Sequence, residues 1–280
     1  MRIAVIQLAL REEPEEVIKD VEGLLNIVNK REPDIALLPE AWISRDPLNN
    51  LDRAVVGSEV ALERLRRLAV EHGVVILGGG LYIPREGKVS VSCPVIDTSG
   101  EIVGSQEKVH LFRGENKVLQ KGESLKTFTV KGVEIGVLIC HDIVYPEAAR
   151  TLVLAGAQIL FNPARIVSHG REAWQLYLKV RSLENRIPIY AANIWSPPKY
   201  TGGTCAVKPV KYLDEVYLPE LIEARQGLSA IVDEVDIEAL SGARRERLVG
   251  RMPHTYLDSQ SGEVAGDLSW VRKERGYTGN

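Results

Sequence analysis

Short apolar runs that stop abruptly alternate along this chain with longer segments whose apolar residues recur at helical spacing. That alternation constrains the fold more than any other feature. Ile3–Leu8 has the length and continuous hydrophobicity of a buried strand, and Glu15–Asn29 follows with Val17, Ile18, Val21, Leu24, Leu25 and Val28 on one helical face. Ile35–Leu38 reads as a second strand, ended by Pro39-Glu40. Ser58 reads as the N-cap of a helix running to His72 and stopped by Gly73, after which Val74–Leu77 returns to strand. The β-branched residues between Val89 and Val109, broken by Thr98-Ser99-Gly100, predict a hairpin. The second half repeats the rhythm: strand Val133–Ile139, helix Pro146–Ala155, strand Gln158–Phe161, a long helix from Gly170 to Asn185, then strand Ile187–Ala192. Ser229–Val235 and Asp236–Glu246 close it as strand and short helix. Buried strands covered by helices imply a layered α/β fold, and the hairpin makes the sheet mixed rather than purely parallel.

The sequence narrows the function by exclusion. Gly78-Gly79-Gly80 follows a strand but opens no helix, and no phosphate-binding glycine motif occurs; the run is read as a close approach of two backbones. With 280 residues and a net charge of −3, the chain offers no basic surface for nucleic acid, and the clusters Arg64–Arg67 and Arg244–Arg247 are diluted by Glu63 and Glu246. Its apolar runs fall far short of the ~20 residues of a membrane span. The N-terminal strand has no features of a cleavable signal, so the cytoplasm is the expected compartment. Three cysteines, Cys93, Cys140 and Cys205, are too few for a disulfide framework, and a reducing compartment suits a working thiol. His110, His141, Asp142 and Glu147 show no ligand spacing for a metal, and neither metal nor cofactor is expected.

Chemistry concentrates at three strand ends. Cys140 closes the apolar run Gly136–Cys140 and is followed by His141-Asp142 and by Pro146, a good first helical residue. A side chain expelled at such a turn, close to unpaired helix N–H groups, suits a nucleophile whose oxyanion those amides receive. Cysteine at such a position also serves as inert packing. Glu40 holds the same strand-exit position in Leu37-Leu38-Pro39-Glu40, and Lys108 follows the hairpin. Singly, Glu40 fits an exposed turn and Lys108 a surface charge beside Glu107. Together they place a carboxylate, an ammonium and a thiol at one sheet edge.

These segments resemble the signature of the nitrilase superfamily, the carbon–nitrogen hydrolases, which use Glu, Lys and Cys in that chain order. The resemblance extends to Phe112–Gly122 around Gly114-Glu115, to Cys140-His141-Asp142 with Pro146-Glu147, to Ala155–Pro163, to Trp174 through Asn185, and to Ala191-Ala192-Asn193, covering residues 1–205. It implies a four-layer α-β-β-α sandwich that pairs across subunits, as a homodimer or higher homo-oligomer. It also implies roles. Cys140 attacks a carbonyl or nitrile carbon, Glu40 is the general base, Lys108 stabilises the oxyanion, and the His141 N–H assists. Glu115 either bridges Lys108 and positions substrate or merely satisfies a buried charge. A neighbouring ammonium is expected to favour the thiolate of Cys140.

The dyad after the cysteine points to the amidase-like branch and a small amide, with nitrile or N-carbamoyl hydrolysis as the alternative and a non-catalytic oligomeric binding protein as the rival class. Asn162 and Arg165 fall where the family builds part of its acyl pocket; Arg165 reads equally as a fork for a substrate carboxylate or as a surface charge. Two departures stand out. Ser90-Val91-Ser92 replaces the family's usual Tyr-Asn, and Pro209-Val210-Lys211 with the stretch to Glu223 replaces a short turn. Residues 1–250 are read as the hydrolase domain and 251–280 as a tail, expected at a subunit interface.

Overall fold

The computed structural model describes residues 1–252. Two sheets face each other. In the first, the spatial order is Ser229–Glu234, Arg2–Gln7, Ile35–Leu37, Val75–Leu77, Lys88–Ile96 and Leu81–Arg85, with Ile102–Glu107 and Leu119–Gln120 also pairing to Lys88–Ile96. The second runs Val216–Glu223, Cys205–Leu213, Ile189–Ala192, Ile159–Pro163, Val133–Val137 and Thr127–Val130. The central strands of each sheet are parallel and the flanking ones antiparallel, the mixed pattern expected.

The first strand shows why this becomes four layers. Ile3 and Val5 point into the layer shared with Val137, Ile159 and Phe161 of the second sheet, whereas Ala4 and Ile6 pack beneath Val21, Leu25, Leu65 and Leu68 of the helices Pro14–Val28 and Leu51–His72. A strand buried on both faces has no polar alternation to display, so the sequence runs continuously apolar. On the far side Leu152, Trp174 and Leu178, from helices Pro146–Leu154 and Arg171–Asn185, cover the second sheet. Helix, sheet, sheet, helix is the α-β-β-α sandwich.

Two local expectations are corrected, and one departure takes shape. Ser58 is not an N-cap: the helix begins at Leu51, and the buried Ser58 hydroxyl donates to Ala54 O at 2.7 Å while accepting the Tyr82 N–H at 2.9 Å. A mid-helix serine that bonds its own i−4 carbonyl resembles a cap in sequence. The final helix is also later and shorter than expected, a 3₁₀ turn Glu238–Leu240 leading into Ser241–Val249. The departure after Cys205 is a long hairpin, Cys205–Leu213 against Val216–Glu223, reversing at Asp214 with φ 49°. The tail expected at a subunit interface falls on residues after Met252, outside the described residues.

The glycine run does what its composition implied. Gly79 has φ +72°, and a Cβ there would lie 2.0 Å from Pro39 O. Nothing larger than hydrogen fits, and this contact seats the strand that delivers Glu40. Gly79→Ala is expected to destabilise the protein by about 2–4 kcal/mol, from left-handed strain plus backbone collision. Urea unfolding checks this, and a loss below ~0.5 kcal/mol would show that the two backbones do not need their close approach.

Candidate active site

The functional side chains enter from both sheets. Glu40 lies just past Ile35–Leu37, in an isolated parallel bridge with Gly80; its N–H donates to Ala164 O at 3.2 Å, and the Ala41 N–H donates to Gly80 O at 2.8 Å. Lys108 follows strand Ile102–Glu107, its N–H donating to Val91 O at 2.8 Å and its carbonyl accepting from Gly122 N at 2.7 Å. Backbone bonds on both sides of a reactive residue leave its side chain little choice of direction.

The Lys108 side chain is only 1% exposed, and Nζ donates to Glu40 Oε1 at 2.8 Å and to Glu115 Oε1 at 2.9 Å. Glu115, on the turn Glu115–Lys117, is itself fixed by the Phe112 N–H at 2.7 Å. Burial works against the ammonium, but the attraction of Glu40, then Cys140 and Glu115, outweighs it and holds Lys108 well above the ordinary lysine range. Lys108 therefore remains an ammonium at any working pH. Burial and then the Glu40 charge push the Glu115 carboxyl up, with Lys108 opposing.

Cys140 stands where strand Val133–Val137 has ended and the 3₁₀ turn Cys140–Val144 begins, with φ +47°. A non-glycine residue in the left-handed region stores strain that its surroundings must impose, a condition typical of reactive centres. Those surroundings are visible. The buried Asp142 carboxylate accepts the Ile139 N–H at 2.9 Å through one oxygen, and through the other the His110 N–H and ring Nδ1, each at 2.8 Å. The Asn162 amide donates to Leu138 O and to Cys140 O at 3.4 Å, while its oxygen accepts the Trp174 indole N–H at 2.8 Å. Behind and below, the Leu138, Ile139 and Cys140 carbonyls and the Ile139 N–H are held.

The expected thiolate is not the resting form. Burial first, and the Glu40 charge second, push the Cys140 thiol well above its ordinary range; Lys108 and the Arg165 backbone N–H pull the other way and lose. The thiol hydrogen-bonds the Glu40 carboxylate instead, so proton and acceptor are already in contact. The site can thus deprotonate its nucleophile during attack rather than before it.

Glu40, Lys108, Glu115 and Cys140 converge as one cluster. The other three sequence candidates do different things. The His141 ring sits edge-on to Phe112 and Tyr145, with centroids 5.1 and 5.4 Å away, and burial followed by Lys108 lowers its pKa, keeping it neutral. Asn162 is a clamp for the nucleophile turn, its amide already occupied. Arg165 divides its roles: its backbone N–H serves Cys140, while its guanidinium donates to Ala41 O at 3.0 Å, Ser44 O at 2.8 Å, Arg45 O at 2.5 Å and Tyr200 Oη at 3.1 Å. Those bonds stitch the 41–45 loop to the end of strand Ile159–Pro163 and leave no open fork for a carboxylate.

Sequence reading missed Asp142 as an organiser and the aromatic group that His110 joins by stacking on Tyr145, with centroids 3.9 Å apart. The His141-Asp142 dyad is the available signal, but as a branch marker or a metal pair it does not reveal the restraint that Asp142 puts on the turn.

Residues 2–234 match the family model described as carbon–nitrogen hydrolase. The chain is 32% identical to a 2-oxoglutaramate amidase of Bacillus subtilis, over 64% of this chain and 70% of that one. It is 26% identical to a hydrolase in the agr operon of Staphylococcus lugdunensis, over 82% of this chain and 100% of that one. A crystal structure from Saccharomyces cerevisiae, a member of branch 10 of the nitrilase superfamily, superposes with a TM-score of 0.79 at 21% identity, covering 90% of this chain and 96% of that one.

A raised thiol has a direct spectroscopic consequence. Titrating the folded protein at 240 nm should show no thiolate between about pH 6 and 8.5, because a pKa moved upward keeps the proton through that window. A step below about pH 8 that vanishes in Cys140→Ser would overturn the neutral-thiol assignment.

Proposed function

The chain belongs to the carbon–nitrogen hydrolases, and from that premise we propose that it hydrolyses a small amide to a carboxylic acid and ammonia through a thioester on Cys140. The observation that carries the reading is the buried Lys108 ammonium held between Glu40 and Glu115, with the Cys140 thiol bonded to Glu40. Similarity to a 2-oxoglutaramate amidase supports an amide over a nitrile.

The steps follow from the positions. Glu40 takes the thiol proton as sulfur attacks the carbonyl carbon, and the resulting oxyanion is received by Lys108 and the His141 backbone N–H. Glu40 returns the proton to the nitrogen, the C–N bond breaks, and ammonia leaves a thioester. Water then attacks, giving its proton to Glu40, and collapse of the second tetrahedral intermediate releases the acid and restores the thiol. Glu115 keeps Lys108 aimed and its charge balanced, so that the ammonium still has attraction left for an oxyanion after pairing with Glu40.

Subunit pairing is part of the same reading. Leu154, Leu176, Tyr177 and Val180 expose 51%, 61%, 37% and 41% of their surface on the two helices covering the second sheet, an apolar strip suited to a second copy. Sedimentation at micromolar concentration should give a dimer or larger, and a monomer would remove that part of the proposal.

Ammonia release is to be measured from primary aliphatic amides, ω-amides of dicarboxylic acids, nitriles and N-carbamoyl amino acids. Turnover of an amide is expected, with none in Cys140→Ala and a loss of about 10²–10⁴-fold in Glu40→Gln, which keeps the hydrogen bond to Lys108 but cannot accept the proton. Turnover confined to nitriles, or equal in Cys140→Ala, would reject the proposal.

A further inference from the structure

The Tyr82 side chain lies in the layer between the sheets, and its hydroxyl has no hydrogen-bond partner among the described residues. It lies in strand Leu81–Arg85, directly after the glycine run. Gly80 pairs with Glu40, and a Cβ built on Gly80 would meet Glu40 Cγ at 2.7 Å and Val91 Cγ1 at 3.0 Å, so side chains at that position point at the Glu40 side chain. Residues two apart on a strand share a face, which directs Tyr82 the same way. Its register partner is Val91, whose carbonyl accepts the Lys108 N–H. Tyr82 thereby stands beside the base and beside the ammonium.

The residue belongs to the apolar layer between the sheets and is 3% exposed. Buried phenols normally find a hydrogen-bond partner. The Tyr82 hydroxyl has none among the described residues, yet its oxygen is not sealed from accessible space. Burial and then the Glu40 charge raise the ionisation of the phenol, so it remains an O–H that can accept one hydrogen bond and donate another.

Building on the amide-hydrolase reading, we infer that Tyr82 is a substrate-positioning residue whose hydroxyl holds the scissile amide nitrogen beside Glu40, and that the site consequently selects primary amides. The hydroxyl oxygen accepts an N–H of the substrate, fixing the nitrogen where Glu40 delivers its proton. An N-substituent replaces one of the two N–H donors of the substrate, so the bond to Tyr82 favours primary amides.

Tyr82→Phe tests this, since it keeps the ring and removes an atom with no hydrogen-bond partner among the described residues. The expected result with propionamide is a fall of about tenfold in kcat with KM little changed, the mark of a contact that counts most as the nitrogen departs, and a melting temperature within about 1 °C of wild type. The wild-type preference for propionamide over N-methylpropionamide should shrink in the variant. An active wild type with an equally active Tyr82→Phe overturns the inference alone. So does a variant whose melting temperature drops in step with activity, which would mean that the hydroxyl supports the fold. A wild type silent on every amide rejects the hydrolase reading and this inference with it.

Discussion

An ammonium buried between two carboxylates governs the rest of this structure. Removing Lys108 from water is costly, and only close, well-aimed opposite charge offsets that cost. Glu40 and Glu115 supply it, but they come from segments 68 and 7 residues away in sequence. The chain must therefore bring a strand exit, a hairpin exit and a short turn to one point, and hold them there to within hydrogen-bond tolerance. Much of the fold near the site answers that demand: the glycine that lets Pro39 approach, the Val91 and Gly122 bonds on either side of Lys108, and the Phe112 N–H on Glu115.

The cluster carries two carboxylates against one ammonium, and this excess explains the state of the nucleophile. A thiolate would be a third anion in the same dry space, so the proton stays on sulfur. The left-handed backbone at Cys140 holds the sulfur beside the Glu40 carboxylate. Asp142 and Asn162 supply the restraint, each with its polar atoms already committed to backbone or indole.

Strand ends were legible in the sequence because a buried strand is a continuous apolar run and its exit is marked by a polar residue. That position brings Glu40, Lys108 and Cys140 together as candidates, whereas their roles come from the family resemblance; the alternation of elements makes the layered fold legible. Residues whose role depends on which way a side chain turns were not legible. Arg165 lies where a pocket residue was expected, but its guanidinium bonds three loop carbonyls that are ~120 positions away in sequence. Ser58 has the composition of a cap and the geometry of a mid-helix hydroxyl. Tyr82 reads as one more β-former, because nothing local records that position 80 faces Glu40. The resting thiol was misjudged for a related reason: sequence shows the lysine near the cysteine but not how much water has been removed around both.

The stitching by Arg165 has a consequence for how such a site can diversify. One residue gives its backbone to the nucleophile and its side chain to the 41–45 loop, so a substitution that reshapes that loop also disturbs the sulfur. Substitutions at Phe112 and Tyr145, whose exposed rings touch no backbone bond to the thiol, leave that seam alone. Variation is therefore tolerated at those rings and resisted at the residue that fastens loop and sulfur together.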